Sequence, residues 1–154
     1  MKLKIYIDTS VIGGYFDKEF EEETKLFFQK VYETNTLLYV SNLLEFELTN
    51  APDFIREFFH SIPKENIIKI ASTEEAQELA QMYIDEKIVG KTSLLDCQHI
   101  ATATLNHADV LVSWNFKHIV NLMRIRGYNS INLREGYHTL EIRTPKEIFK
   151  NEKD

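Results

Sequence analysis

The chain has 154 residues, 44% of them hydrophobic and 12% aromatic, enough for a sizeable core and far from the composition of a disordered protein. A formal net charge of −6 opposes contact with a polyanion unless a local basic surface or a bridging cation intervenes. The single cysteine, Cys97, rules out an intrachain disulfide and a Cys-rich zinc site, and no apolar run approaches the roughly 20 residues of a membrane span.

The elements read as follows along the chain. Lys4-Ile5-Tyr6-Ile7 is a short buried strand that runs directly into Asp8-Thr9-Ser10, followed by a turn or short helix through Gly13-Gly14. From about 19 to 34, Phe20, Leu26, Phe27, Val31 and Tyr32 recur at helical spacing. Leu37-Leu38-Tyr39-Val40 is a second strand, with Ser41 placed to cap a helix starting near Asn42. Phe54, Ile55, Phe58 and Phe59 mark a helix after Pro52, and Ile67 to Ile70 a third strand. Thr73-Glu74-Glu75 opens a helix with acids in its favourable first turn. Ser93 to His107 is a further helix, with Cys97 reading as a buried free thiol. Val110 to Ser113 is a fourth strand, Phe116 to Arg126 a helix after it, and Ser130 to Leu133 a last short strand. From Thr144-Pro145 onward the pattern is a half-turn of helix with a frayed, charged end.

Alternating strands and helices with short connections predict an α/β fold, a three-layer α/β/α sandwich on a parallel sheet, as one domain over 1–154. The chain starts on a strand with no signal-peptide pattern, so a cytoplasmic location is expected.

Parallel strands share a carboxyl edge, and ligands of open α/β sheets bind beyond it. Asp8, Glu45 and Glu47, Asp96 and Asn115 all fall at points that map to that edge. Each has a structural explanation: Asp8 and Asn115 suit helix N-caps, Asp96 stands three residues after Ser93 as in a capping box, and the glutamates suit a solvated helix face. Their conjunction points elsewhere. Clustered carboxylates repel one another and persist where a cation neutralises them; oxygen-only ligands suit Mg²⁺ or Mn²⁺. Such a cation polarises a phosphoryl oxygen and activates water, so metal-assisted phosphodiester hydrolysis is the indicated reaction.

The segments Ile7-Asp8-Thr9-Ser10, Ser41 to Glu47-Leu48, Asp96 ahead of His99-Ile100-Ala101-Thr102-Ala103, and Val112-Ser113-Trp114-Asn115-Phe116 together resemble a PIN domain, over about residues 3–133. The resemblance implies a Mg²⁺- or Mn²⁺-dependent ribonuclease acting on RNA. Many members are VapC-type toxins with an antitoxin partner, and a homodimer is expected. It assigns metal ligation to Asp8, Glu47 and Asp96; Glu47, six residues past Ser41, matches better than Glu45. Asn115 falls where many members carry a fourth acid. It supplies no negative charge, so metal affinity falls or a second metal site disappears. A subgroup of the family resembled carries the same Ser-Trp-Asn-Phe form.

Around these residues, Thr9, Ser10 and Ser113 serve either as donors that orient the carboxylates or as caps. His99 is either a substrate contact or a hydrogen-bonded core histidine. Lys117, His118, Arg124 and Arg126 offer phosphate contacts or solvated charges, and Trp114 a stacking face or a buried one. The alternative function is a PIN-fold RNA- or protein-binding module with a weakened, non-catalytic metal site. A haloacid-dehalogenase-like phosphatase needs a second Asp two residues after Asp8, where Ser10 stands.

Overall fold

A computed structural model describes residues 2–90 and 93–149. The elements are β1 (Lys4–Ile7), α1 (Thr9–Gly14), α2 (Glu21–Thr34), β2 (Leu37–Ser41), α3 (Asn42–Leu48), α4 (Asp53–Ser61), β3 (Ile67–Ile70), α5 (Glu74–Asp85), α6 (Leu94–Leu105), β4 (Val110–Val112), α7 (Leu122–Arg134) and β5 (Ile142–Arg143). The five strands form one sheet in the order β3-β2-β1-β4-β5, and every pairing is parallel. The expected three-layer α/β/α sandwich is the observed architecture.

The alternation of side chains along β1 divides the core in two. Ile5 and Ile7 face a layer built from α1 to α4, with Phe27, Phe28, Val31, Leu44 and Leu48. Tyr6 faces the opposite layer of α5 to α7, with Leu79, Tyr83, Ile100 and Tyr128. The chain winds outward from β1 through β2 to β3, then returns to place β4 on the other side of β1. That reversal makes the gap between the carboxyl ends of β1 and β4 the topological switch point, where open α/β sheets form their ligand crevice.

Local signals account for several boundaries. Three glutamates fill the first turn of α2, and Asn35 closes it at a φ of 53°. The Ser41 hydroxyl accepts from the Leu43 amide at the start of α3, and Thr73 accepts from the Ala76 amide at the start of α5.

Past β4 two expectations are corrected. Residues 116–119 form a turn and 120 a bend, and the helix expected over 116–126 begins only at Leu122, because Asn115 closes a tight turn by accepting from the His118 amide and Asn121 caps the true helix through Arg124. Ser130 to Leu133, expected as a strand, completes that same helix: Ile131 is buried on its inner face and Leu133 is exposed. The last strand is instead the two-residue β5, paired with β4. Beyond it, Thr144 and Glu147 form a capping box around a 3-10 turn, and Ile148 and Phe149 pack on the core. Residues 150–154, where the frayed end was expected, lie outside the described residues.

Candidate metal and phosphodiester site

The carboxyl edge collects side chains from four segments. β1 delivers Asp8 one residue past its end, and β4 delivers Ser113 beside it in the adjoining strand. Glu47 lies on α3, directly after β2, and Asp96 lies in the first turn of α6. A helix that leads into a parallel strand starts at the carboxyl edge, so Asp96 belongs there by topology. The amino ends of α1, α3 and α6 bring partial positive charge to the same edge, which suits anions.

The capping explanations fail for the two aspartates. Asp8 stands at the N-cap position of α1, yet its carboxylate accepts no amide there. It accepts instead from the Ser10 hydroxyl at Oδ1 and the Ser113 hydroxyl at Oδ2, both at 2.6 Å. Ser10 and Ser113 are thus donors that orient a carboxylate. Ser93 makes no side-chain cap on α6, so no capping box joins it to Asp96. Asn115, by contrast, does cap: its Oδ1 accepts from the His118 amide at 3.0 Å.

Burial pushes the Asp8 carboxyl above the ordinary range, and nearby Asp96 adds to this, against the opposing pull of His99, Ser10 and Ser113. Burial raises Asp96 as well, and Glu47 adds to it, while His99, His118 and the Asn115 side chain favour its charged form. Glu47 goes the other way. Burial raises it, but the hydrogen bond and charge of His99 and the Thr9 hydroxyl hold it below the ordinary range. His99 Nε2 lies 2.6 Å from Glu47 Oε1, and Thr9 Oγ1 donates to the same oxygen at 2.7 Å.

Among the described residues, neither Asp8 nor Asp96 stands in an ion pair with Lys, Arg or His. Asp96 raises Asp8 and Glu47 raises Asp96, and neighbouring carboxylates with oxygen donors alone have the chemistry of a hard divalent-cation site. The side chains do not draw a full ligand shell together: among the described residues, no three His, Cys, Asp or Glu groups stand close enough to hold a metal ion. Glu47 is bonded to His99 through Oε1. The donor chemistry therefore fits Mg²⁺ or Mn²⁺, with Asp8 and Asp96 as the pair that lacks a countercharge.

His99 is 2% exposed and hydrogen-bonded, so it is a buried histidine of the site's interior. Trp114 is buried, stacked on Phe20 at 4.3 Å and 17°, with its indole donating to Thr24. Arg124 donates to the Ile88 carbonyl. Lys117 is exposed, and Nδ1 of His118 is buried with no partner among the described residues. The part played by His99 was missed as specific chemistry; its position three residues after Asp96, one helical turn along, was the available signal.

A cavity of about 520 Å³ lies elsewhere. It is lined by Glu45, Leu48, Arg56, Phe59, Ile62 and Lys69 among others, and by none of the four candidate residues. Two of its cations are paired, Arg56 with Asp53 and Lys69 with Glu45.

No protein-family model matches the sequence, and no curated protein matches it. Solved structures do. A chain of the VapBC2 complex of Rickettsia felis, bound to a promoter DNA fragment, superposes with a TM-score of 0.57 at 13% identity, over 92% of this chain and 98% of that one. A chain of DNA-bound VapBC of Salmonella typhimurium gives 0.56 at 14% identity, over 93% and 98%. FitAcB of Neisseria gonorrhoeae gives 0.59 at 13% identity, over 94% and 99%. With near-complete coverage of both chains in each superposition, this protein has the PIN-domain fold that its sequence resembles.

Proposed function

We propose that this protein is a Mg²⁺- or Mn²⁺-dependent endoribonuclease of the PIN type that acts as the toxin of a toxin–antitoxin pair. The observation that carries this reading is the buried aspartate at the switch point: Asp8 takes up no cap, is oriented by two serine hydroxyls, and faces the repulsion of Asp96 without a paired cation.

In this reading Asp8, Asp96 and Glu47 hold one divalent ion, whose chemistry when bound is to polarise the scissile phosphate and to lower the pKa of a water for in-line attack. Ser10 and Ser113 fix the rotation of the Asp8 carboxylate. Asn115 presents its side chain to Asp96 while its own oxygen holds the following turn, so it orients groups at the site without adding charge. The complexes whose fold it shares support an antitoxin partner, and a homodimer is proposed beside it. Phe16 and Phe54, edge to face at 4.9 Å and each exposed, supply an apolar surface that a partner would cover. Among the described residues no helix is long and apolar enough to cross a membrane, and the proposed location is the cytoplasm.

The second reading, a binding module without hydrolysis, draws on Glu47 being engaged by His99 and on the amide at position 115. One experiment separates the two. RNA cleavage is measured with Mn²⁺ for wild type, Asp8→Asn and Asp96→Asn. Both variants are expected to lose cleavage with nearly unchanged melting temperature; at position 8 the Ser10 and Ser113 hydroxyls can accept from an amide as readily as they donate to a carboxylate. Cleavage that persists in both variants defeats the mechanism; binding of RNA without cleavage by the wild type selects the second reading.

A further inference from the structure

His99 joins three of the segments that carry the site. It stands on α6 one turn after Asp96, it is 2% exposed, and both ring nitrogens are engaged by side chains. Nε2 is 2.6 Å from Glu47 Oε1 on α3, and Nδ1 is 2.6 Å from the Tyr6 hydroxyl on β1. The Tyr6 hydroxyl is in turn 2.8 Å from Ser41 Oγ, which caps α3 through the Leu43 amide. A carboxylate oxygen can only accept, so Nε2 carries the hydrogen and donates to Glu47 whichever way the rest of the chain runs.

We infer that His99 is the positioning residue for Glu47, an inference that rests on the metal-dependent reading and adds to it a group outside the acidic set. Glu47 is a half-buried side chain on a short helix, with three rotatable bonds and water within reach. Left alone it samples many rotamers. The bonds from His99 and Thr9 both fall on Oε1, which fixes the plane of the carboxylate; among the described residues Oε2 accepts no hydrogen bond. That leaves one oxygen uncommitted at a set orientation. Thr9 adjoins Asp8 in the chain and His99 shares a helix face with Asp96, so Glu47 is held to the segments of both other acids at once. Both of its nitrogens are bonded to side chains, one of them the candidate ligand Glu47.

The test is Mn²⁺ affinity, read by electron paramagnetic resonance on full-length wild type, His99→Ala, His99→Gln, Glu47→Gln and the double variant, with circular dichroism to verify folding. His99→Ala is expected to weaken Mn²⁺ binding by roughly ten- to a hundred-fold, the usual effect of removing a group that orients a ligand. His99→Gln, which keeps a nitrogen donor, should recover part of the loss. The decisive comparison is non-additivity: adding His99→Ala to Glu47→Gln should weaken binding no further than Glu47→Gln alone.

Wild-type affinity in His99→Ala, or in Glu47→Gln, overturns the assignment, as does a double variant weaker than Glu47→Gln by the full His99→Ala factor. If His99→Ala does not fold, Tyr6→Phe removes only the hydroxyl that holds Nδ1; reduced affinity there, with His99→Gln also reduced, supports the role, and wild-type affinity in both overturns it. A wild-type protein that binds no Mn²⁺ ends both this inference and the metal-dependent reading. Tight wild-type binding with an undiminished His99→Ala ends this inference alone.

Discussion

Asp8 shows how a residue that is ambiguous in sequence is resolved by its partners. At the end of a strand and ahead of a helix, a cap and a ligand have the same address, and only the hydrogen bonds tell them apart. Its partners are Ser10 and Ser113, and the second of these lies 105 residues away, so no local pattern could have announced it. His99 was less legible still, because both of its side-chain partners come from other segments, 93 and 52 residues distant. Cys97 was the easier case: an apolar helical setting predicted a buried free thiol, and it is one. Burial pushes its pKa from 9.0 up to about 12, so folding favours the protonated thiol. Its contribution to stability is fully present below the unfolded value and is lost as pH rises through that interval. Iodoacetamide should therefore label Cys97 slowly in the native protein and rapidly in denaturant at about pH 8. Equal rates would contradict this burial.

Among the elements, the strands with continuous apolar runs were readable, and the chain between β4 and β5 was not. Val110 to Val112 is fully buried and advertises itself. β5 has two residues, too few for any periodicity, and exists because β4 offers it a free edge. The turn after β4 misled because Phe116 to Arg126 has helical composition, while Asn115 and Asn121 impose a turn and a delayed start. That turn meets α1 at Gly14. A Cβ there would lie 2.7 Å from two atoms of the Trp114 indole and 3.0 Å from Thr24 Oγ1. The indole cannot easily yield, since it is stacked on Phe20 and bonded to Thr24. Gly14→Ala is expected to lower stability by about 1–3 kcal/mol, the range for overpacking a closed contact, as measured by urea unfolding. Gly127→Ala should lower it less. There the contact is the Ile88 side chain, and alanine is the better helix former by about 1 kcal/mol. Equal losses would mean that the indole is free to move.

For the molecule as a whole, the order and direction of the strands matter more than any one contact. Reversal of winding at β1 brings segments separated by most of the chain to one crevice; the alternation of strands and helices indicated the parallel sheet and its shared carboxyl edge, but not the strand order. The rotamers within the crevice were not recoverable, because they depend on which of several acids wins the one buried histidine. A cation that binds the folded protein stabilises it by mass action, about 2.7 kcal/mol at a hundredfold excess over Kd. For a protein of 154 residues this is a rise of roughly 5–11 °C in Tm. Mn²⁺ should give such a shift in the wild type and none in Asp8→Asn; equal shifts in the two would place the cation away from Asp8.

Trp114 is the only tryptophan in the chain. Its indole is walled in by Phe20, Gly14 and Thr24, and its backbone amide donates to Ser10, the same hydroxyl that donates to Asp8. The tryptophan emission of this protein, excited beyond the tyrosine band, is therefore a one-point signal, with its source two hydrogen bonds from the buried aspartate.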